Sequence, residues 1–233
     1  MVSSTRKQGA AGQSDIARRR TQRRLASGRK SDARWQEVLE GAGRVFQRVG
    51  YPQATLEDVA NEVGINRATL YYYVGTKEEL LVSLLYRPIE QMRVDLEEIV
   101  AKEMPPGQKL ATALRTYLVA LSERPELFIF LGENIDKVMT VHEAEEIQRN
   151  ADRYGRLLTS VIADGAASGE FRADLDPQVA TMGIIGMVNW MYRWYEESGS
   201  KSLVELGETF VEMALASLSP EAANRVGAAA DPS

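Results

Sequence analysis

Residues 55–80 read TLEDVANEVGINRATLYYYVGTKEEL, and this stretch decides the fold of the N-terminal part of the chain. Thr55 and Asp58 have the spacing of a capping box, in which a hydroxyl and a carboxylate satisfy free N–H groups at the start of a helix. Gly64 falls where the chain must turn, because glycine accepts the positive φ that a Cβ disfavours. Asn66 is a good N-cap for a second, short helix. The pattern therefore predicts two helices joined by a tight turn, a helix-turn-helix.

The second of these helices, residues 66–73, carries the side chains best placed to contact DNA. In helix-turn-helix proteins this helix lies in the major groove, with its first turn on the base edges. Arg67 lies in that turn and can form a bidentate pair with guanine or contact a phosphate. Asn66 caps the helix and can also reach a phosphate or base edge. Core packing is the alternative for the tyrosines, above all Tyr73. The other candidates are Ala68 and Thr69, whose methyl groups suit thymine, and Tyr71 and Tyr72, which suit sugar and phosphate.

Two neighbouring runs extend the motif, TLYYYV at 69–74 and TKEELL at 76–81. They resemble the TetR family of bacterial transcriptional regulators, whose recognition helix ends in T-L-Y-x-H/Y-F/V and whose next helix opens with S/T/N-K-x-x-L. The resemblance covers residues 33–85 without a gap. It implies that Lys77 is a phosphate clamp, supported by the partial positive charge of the helix N-terminus behind it. It gives Thr55 a similar role, through its hydroxyl or its backbone N–H.

The flanking sequence predicts a helix on either side of the motif. Thr76 and Glu79 repeat the capping-box spacing at the start of the following helix. An apolar stripe at helical spacing precedes the motif, and Gly50 ends the helix that it predicts. The stripe consists of Trp35, Val38, Leu39, Ala42, Val45 and Phe46.

Composition excludes several classes of function. The 233 residues include no cysteine and a single histidine, His142, so disulfides, zinc fingers, thiol catalysis and a serine–histidine–aspartate site are absent. No cluster of titratable residues suggests an enzyme, and we interpret the Glu143, Glu145 and Glu146 run as a solvated helix face. We expect no metal or cofactor. Without a membrane span or a signal peptide, we expect a cytoplasmic bacterial protein associated with the nucleoid.

Charge is segregated along the chain. Residues 1–34 contain ten lysines and arginines against two aspartates, although the whole chain has a net charge of −5. A basic end and an acidic body are typical of a protein that meets phosphate at one end only. Residues 1–30 contain too few large apolar side chains to form a core, so we expect them to be disordered when free. They act either as an electrostatic tether to DNA or as a solvated tail.

Beyond residue 85, apolar residues recur at helical spacing and no alternating strand pattern occurs. Pro88 predicts a kink or break, and Asp176-Pro177 predicts a helix start. Long helices are predicted over about 141–167 and 202–218. We therefore expect an all-α protein of about nine helices, with a three-helix helix-turn-helix head. The predicted domains are a disordered basic arm (1–30), a DNA-binding domain (31–76), an effector-binding and dimerisation domain (77–218) and a flexible tail (219–233).

The family resemblance implies a homodimer in which the last two helices pair with those of a second subunit. These helices are apolar around much of their circumference, and Gly183 and Gly186 leave room for a close approach. Packing within one chain is the alternative. Two recognition helices spaced about one duplex turn apart would then read a palindromic operator in double-stranded DNA.

The resemblance also implies a small-molecule effector whose binding releases the regulator from DNA. Large apolar residues suit the wall of such a pocket, although they fill ordinary cores more often. No effector identity follows from them. The candidate wall residues are Met92, Tyr117, Phe128, Phe130, Trp190 and Trp194.

Residues 170–177 and 189–195 resemble the branch of the family that responds to acyl-CoA and steroid-CoA thioesters. By that resemblance Arg193 meets the CoA moiety, although it could instead pair with Glu196 or Glu197. The match departs at Ile185, where a second arginine is expected, and at Asn189, which aligns with a tryptophan. Another lipophilic or drug-like effector remains open, and so does an all-α ligand-binding or architectural nucleic-acid-binding protein without sequence-specific regulation.

Overall fold

The computed structural model describes residues 29–132, 142–196 and 198–222. Within these ranges the chain forms nine α-helices and one short 3-10 turn, and it has no strand. The all-α class and the predicted number of helices are therefore confirmed. The basic arm up to residue 28 and the tail from residue 223 lie outside the described residues.

The described residues fall into two compact units. One contains the residues up to Arg87 together with His142–Gln148, and the other contains Pro88–Gly132 and the residues from Arg149 onward. The predicted functional division at residue 76 stays a prediction, because it concerns roles rather than packing. None of the helices in the described ranges has the length and apolarity that crossing a bilayer requires.

The first unit is built on the apolar stripe predicted before the motif. All six stripe residues are buried, with Val38, Ala42 and Val45 fully so. Burying one large apolar side chain contributes about 1.5–3 kcal/mol, so this stripe anchors the three-helix head. The helices of this unit are α1 (Arg29–Val49), α2 (Leu56–Glu62), α3 (Arg67–Tyr73), the first part of α4 (Lys77–Ala101) and the start of a later helix, His142–Gln148.

The predicted caps and turns of the motif are present. The Thr55 hydroxyl accepts a hydrogen bond from the Asp58 N–H (3.2 Å), and the Asp58 carboxylate accepts one from the Thr55 N–H (2.9 Å). Oδ1 of Asn66 accepts a hydrogen bond from the Thr69 N–H (2.8 Å). Gly64, with φ of 65°, supplies the turn between α2 and α3. Local sequence thus determines both helix starts.

Two local predictions require correction. The Thr76 hydroxyl accepts from the Glu79 N–H (3.1 Å), but the Glu79 carboxylate accepts from the Gly75 N–H (2.7 Å), one residue earlier than a capping box requires. The chain bends at this glycine, which brings its N–H to the carboxylate. A kink or a break was predicted at Pro88, and the break is wrong, because α4 continues through the proline to Ala101. The kink stays a prediction. The buried side chains before and after this proline, Leu84, Leu85 and Ile89, hold both adjoining turns in apolar surroundings.

The second unit packs its last helix closely against a central one. A Cβ at Gly207 would lie 2.5 Å from Cδ1 of Leu118, so only glycine permits this approach. Asp176 caps its helix by accepting from the N–H groups of Gln178 (2.8 Å) and Val179 (3.0 Å), as predicted. The remaining elements are α5 (Pro106–Glu123), α6 (Leu127–Gly132), α7 (His142–Ser168), α8 (Pro177–Asn189), the 3-10 turn (Trp190–Arg193) and α9 (Leu203–Leu218).

Candidate DNA-binding surface and ligand cavity

Helix α3 is fixed by one buried side chain and presents the others outward. Leu70 is fully buried, whereas Arg67 and Ala68 are exposed and Tyr72 is 51% exposed. Asn66, at the helix start, is exposed as well. The exposed side of this short helix is therefore available to a partner.

Arg67 is held at this surface by contacts with its neighbours. Its Nη2 donates to the Tyr71 hydroxyl (3.1 Å), and its guanidinium lies 5.3 Å from the centre of the Tyr71 ring. Its Nη1 lies 3.9 Å from the Glu57 carboxylate. The hydrogen bond with Tyr71 raises the pKa of Arg67 above its ordinary value, with a smaller contribution from Glu57. The side chain is therefore a permanent cation, oriented before any ligand arrives.

Lys77 uses its charge within the first unit. Its Nζ donates to the carbonyl oxygens of Tyr51 (2.8 Å) and Pro52 (3.1 Å), and it lies 4.6 Å from the centre of the Tyr51 ring. This arrangement holds the start of α4 against the turn that precedes α2. Together with eight other residues, Lys77 lines a surface depression of about 510 Å³. The other lining residues are Ala54, Thr55, Leu56, Glu57, Arg67, Tyr71, Gly75 and Thr76.

The three tyrosines of α3 lie in different surroundings. Tyr73 stacks on Trp35, with ring centres 5.9 Å apart, so its ring packs against α1. Tyr72 contacts Tyr73 edge-on at 5.4 Å. Tyr71 lines the depression described above. Of the nine predicted DNA contacts, four share this depression (Thr55, Arg67, Tyr71, Lys77), and the other five lie along α3 and at its cap (Asn66, Ala68, Thr69, Tyr72, Tyr73).

The second unit contains a mostly apolar cavity of about 110 Å³. Three predicted effector contacts line it: Met92, Tyr117 and Phe130. The other nine lining residues are Ile89, Leu121, Leu127, Leu131, Asn150, Ala151, Tyr154, Ile185 and Asn189.

The remaining predicted effector contacts lie elsewhere in this unit. Phe128 stacks with Tyr195, with ring centres 6.3 Å apart. Trp190 is 59% exposed and Trp194 is 47% exposed. The Arg193 guanidinium lies 5.9 Å from the Trp190 ring centre. The structure therefore separates the aromatic residues after α8 from the cavity.

The polar side chains in and beside the cavity come from α4, α5, α7 and α8. The Tyr117 hydroxyl donates to Oδ1 of Asn189 (2.5 Å), and Nε of Arg93 donates to Oδ1 of Asn150 (2.9 Å). The rings of Tyr117 and Tyr154 lie 5.7 Å apart. Burial raises the pKa of both phenols, so both hydroxyls are protonated at neutral pH.

Asn150 and Tyr154 were not predicted as cavity residues, and Ile185 and Asn189 were named only as departures from the CoA-responsive branch. Tyr154 lies at an apolar position of α7, and apolar spacing along one helix does not distinguish a cavity wall from a core face. Asn150 and Asn189 lie 57 and 72 positions from their hydrogen-bond partners. Helical periodicity describes one helix at a time, so it carries no signal for such pairs.

One face of α8 is apolar and exposed. Val179 and Met182 are each 67% exposed, and Trp190, the first residue of the 3-10 turn that follows α8, is 59% exposed. A Cβ at Gly183 or Gly186 would meet no atom within 4 Å. We call this set, Val179, Met182, Gly183, Gly186 and Trp190, the α8 stripe. On α9, Val204 and Met213 are exposed as well.

The described residues contain no group of three or more histidines, cysteines, aspartates or glutamates that could hold a metal ion.

Comparison with known proteins identifies relatives that match most of this chain. The chain is 23% identical to the fatty acid metabolism regulator protein of Bacillus subtilis (strain 168) over 181 residues, which are 77% of this chain and 93% of that protein. It is 21% identical to the HTH-type transcriptional repressor KstR2 of Mycolicibacterium smegmatis over 184 residues, 78% of this chain and 89% of the relative.

Two solved structures share the fold. One is the ketosteroid transcriptional regulator KstR2 of Mycobacterium tuberculosis, with a TM-score of 0.73 at 22% identity, over 80% of this chain and 95% of that one. The other is AibR in complex with isovaleryl coenzyme A and operator DNA, with a TM-score of 0.67 at 22% identity, over 80% and 98% of the two chains.

Two family models match separate parts of the sequence and together span most of it. Residues 38–84 match the bacterial regulatory proteins of the tetR family, and residues 103–218 match the tetracyclin repressor-like C-terminal domain. The first match contains α2 and α3, and the second contains α5 and all later helices. The chain belongs to the TetR family of bacterial transcriptional regulators.

Proposed function

We propose that this protein is a ligand-responsive transcriptional repressor that binds a palindromic operator as a homodimer and is released by a small lipophilic effector. One observation carries the proposal: α3 is anchored by the buried Leu70 and presents Arg67, Ala68 and Tyr72 to solvent. A short helix with this exposure has the geometry for the major groove. The protein acts on DNA in the bacterial cytoplasm.

The DNA contacts divide into those that read bases and those that set position. Arg67 reads guanine, because a guanidinium can form two parallel hydrogen bonds with O6 and N7. Thr55 and Lys77 face the same depression as Arg67 and provide the phosphate contacts. Lys77 already donates to two carbonyls, so its contribution is to orient the start of α4 as well as to add positive charge.

The α8 stripe is the surface proposed for dimerisation. Exposed valine, methionine and tryptophan side chains beside two open glycines form an apolar strip that another helix could approach closely. Contiguous apolar surface of this kind marks interaction sites. A dimer would carry two copies of α3, as a palindromic operator requires.

The effector is proposed to be a CoA thioester that places its acyl group in the second-unit cavity. The resemblance of residues 170–177 and 189–195 to the CoA-responsive branch supports this class. A solved structure with the same fold holds isovaleryl coenzyme A and operator DNA. Arg193 lies outside the cavity lining, so a contact between it and CoA would be made outside the cavity.

A footprint on the DNA upstream of the protein's own gene tests the proposed function. We expect protection of a short palindrome at nanomolar protein, and release of that DNA by an acyl-CoA but not by free CoA. Effector and operator must weaken each other's binding by the same factor, which calorimetry can check in both directions. Equal binding to every duplex, without a protected site, would indicate an architectural nucleic-acid-binding protein instead.

A further inference from the structure

The cavity carries hydrogen-bond donors that the protein itself leaves unused. Oδ1 of Asn189 accepts from Tyr117, and Oδ1 of Asn150 accepts from Arg93. Both amide oxygens are thus occupied, and the two amide nitrogens find no acceptor among the described residues. The Tyr154 hydroxyl also finds none there. Three donors on residues that line the cavity therefore remain available to a ligand that brings an acceptor.

The same wall offers no charge to an ionised ligand. None of the twelve lining residues in the described part of the chain is charged. The nearby Arg93 guanidinium is paired with the Glu97 carboxylate. A carboxylate placed in such surroundings would lose its hydration without gaining a cation, whereas an uncharged carbonyl oxygen needs only a donor.

Tyr154 is the donor best suited to this role. Burial is the main cause that raises the pKa of its phenol, and the neighbouring Tyr117 and the Asp95 carboxylate raise it further. The hydroxyl therefore stays protonated, and the field of Asp95 opposes a second negative charge beside it. A neutral acceptor is favoured over an anionic one on this ground as well.

The volume of the cavity limits the size of the group it can hold. An apolar cavity of about 150 Å³ engineered in another protein holds benzene. By this comparison, 110 Å³ suits a group of about four to six non-hydrogen atoms. The side chains of Leu121, Leu127, Ile185 and Ala151 make most of this wall apolar.

We propose that the cavity selects a short, uncharged acyl group whose carbonyl oxygen accepts a hydrogen bond from Tyr154, and that it rejects the corresponding free carboxylate. This inference rests on the proposed function, since it identifies the part of the effector that the second unit recognises. It makes Tyr154 a specificity-determining residue and leaves the rest of the effector outside the cavity.

An NMR titration of the full chain tests the inference directly. The probes are the pentanoyl and dodecanoyl thioesters of N-acetylcysteamine, which lack the nucleotide, and pentanoate. We expect the pentanoyl thioester to bind at least about tenfold more tightly than either of the others. Tyr154→Phe should weaken its binding about tenfold, the loss expected when a buried acceptor is left without a donor.

Two further variants control this experiment. Tyr192→Phe removes a hydroxyl outside the cavity lining and should leave affinity unchanged, whereas Ala151→Leu fills the cavity and should abolish binding. The proposal would be overturned if pentanoate bound as tightly as the pentanoyl thioester or if the dodecanoyl probe bound more tightly. It would also be overturned if no probe bound, or if the two tyrosine variants lost affinity equally. Operator binding by the same samples is measured separately. If the wild-type protein bound all duplexes equally, the proposed function would be refuted, and the conclusion about the cavity would not be affected.

Discussion

The proposed DNA-binding surface and the proposed ligand cavity differ in how their chemistry is assembled. Arg67 and Tyr71 are one helical turn apart, and their contact is local and exposed. Tyr117 and Asn189 are 72 positions apart and meet only because α5 and the end of α8 pack together. The first site is polar and charged, and the second is apolar with uncharged donors. Sequence patterns over a few residues therefore predict the exposed side of α3 well, and they predict the residues of the cavity poorly.

The substitution with the largest expected effect tests whether the two sites depend on separate hydrophobic cores. Leu70→Ala removes a fully buried side chain from α3 and should cost about 2–5 kcal/mol of unfolding free energy in the first unit. DNA binding should be lost, while the affinity for a thioester probe in the second unit is retained. Denaturant unfolding and NMR titration measure the two quantities. Loss of ligand binding as well would show that the sites do not depend on separate cores.

The sequence predictions that depend on neighbouring residues mostly agree with the structure, and those that depend on tertiary packing agree less often. Thr55, Asp58, Gly64 and Asn66 were all placed correctly, because caps and positive-φ turns depend on residues a few positions apart. The break predicted at Pro88 was wrong, because helix propensity is a property of single residues and does not include the burial of the side chains on either side of the proline.

The cavity shows the same limit more strongly. Tyr117, Met92 and Phe130 were chosen as wall residues because they are large and apolar, and the structure brings them together. The same criterion also selected Trp190 and Trp194, which are exposed. Residue type indicates where burial is favourable, but only tertiary packing decides whether a buried side chain meets a void or a neighbour.

A charge on the α8 stripe should prevent the proposed dimer from forming. Met182→Glu places a carboxylate where the proposed partner helix would cover it, and an unpaired buried charge is strongly unfavourable. We expect monomers in analytical ultracentrifugation and a large loss of operator affinity. Gln108→Glu adds the same charge at an exposed site on α5 and serves as the control. A dimer that survives Met182→Glu would move the interface elsewhere.

A smaller change tests the packing between α5 and α9. Gly207→Ala would bring a methyl group to 2.5 Å from Cδ1 of Leu118, and overpacking of this kind costs about 1–3 kcal/mol. The melting temperature should fall by several degrees. The matched control is Gly155→Ala on α7, where a Cβ meets no atom within 4 Å. Equal melting temperatures for the two variants would show that α5 and α9 can move apart without cost.

The smallest expected effect concerns the cap of α2. Hydrogen bonds from the Thr55 side chain and backbone lower the pKa of Asp58 below its ordinary value of 3.8. A lowered carboxyl pKa gives stability that is present above the unfolded value and is lost as pH falls through the folded one. Thr55→Ala should therefore lower the melting temperature slightly at neutral pH, and the difference should shrink below about pH 3.8. A difference in melting temperature that stays constant down to pH 2 would show that the effect comes from the hydrogen bond between the Thr55 hydroxyl and the Asp58 N–H, and not from the Asp58 carboxylate.

The most direct test of the central claim compares wild type with Arg67→Ala on two duplexes, the protected palindrome and a scrambled duplex of the same composition. If α3 reads DNA with its exposed side, Arg67→Ala should weaken palindrome binding by about tenfold to 100-fold and scrambled binding much less. The ratio of the two affinities should therefore fall. An unchanged ratio, with both duplexes weakened equally, would show that Arg67 contacts phosphate only and would contradict sequence reading through this side chain.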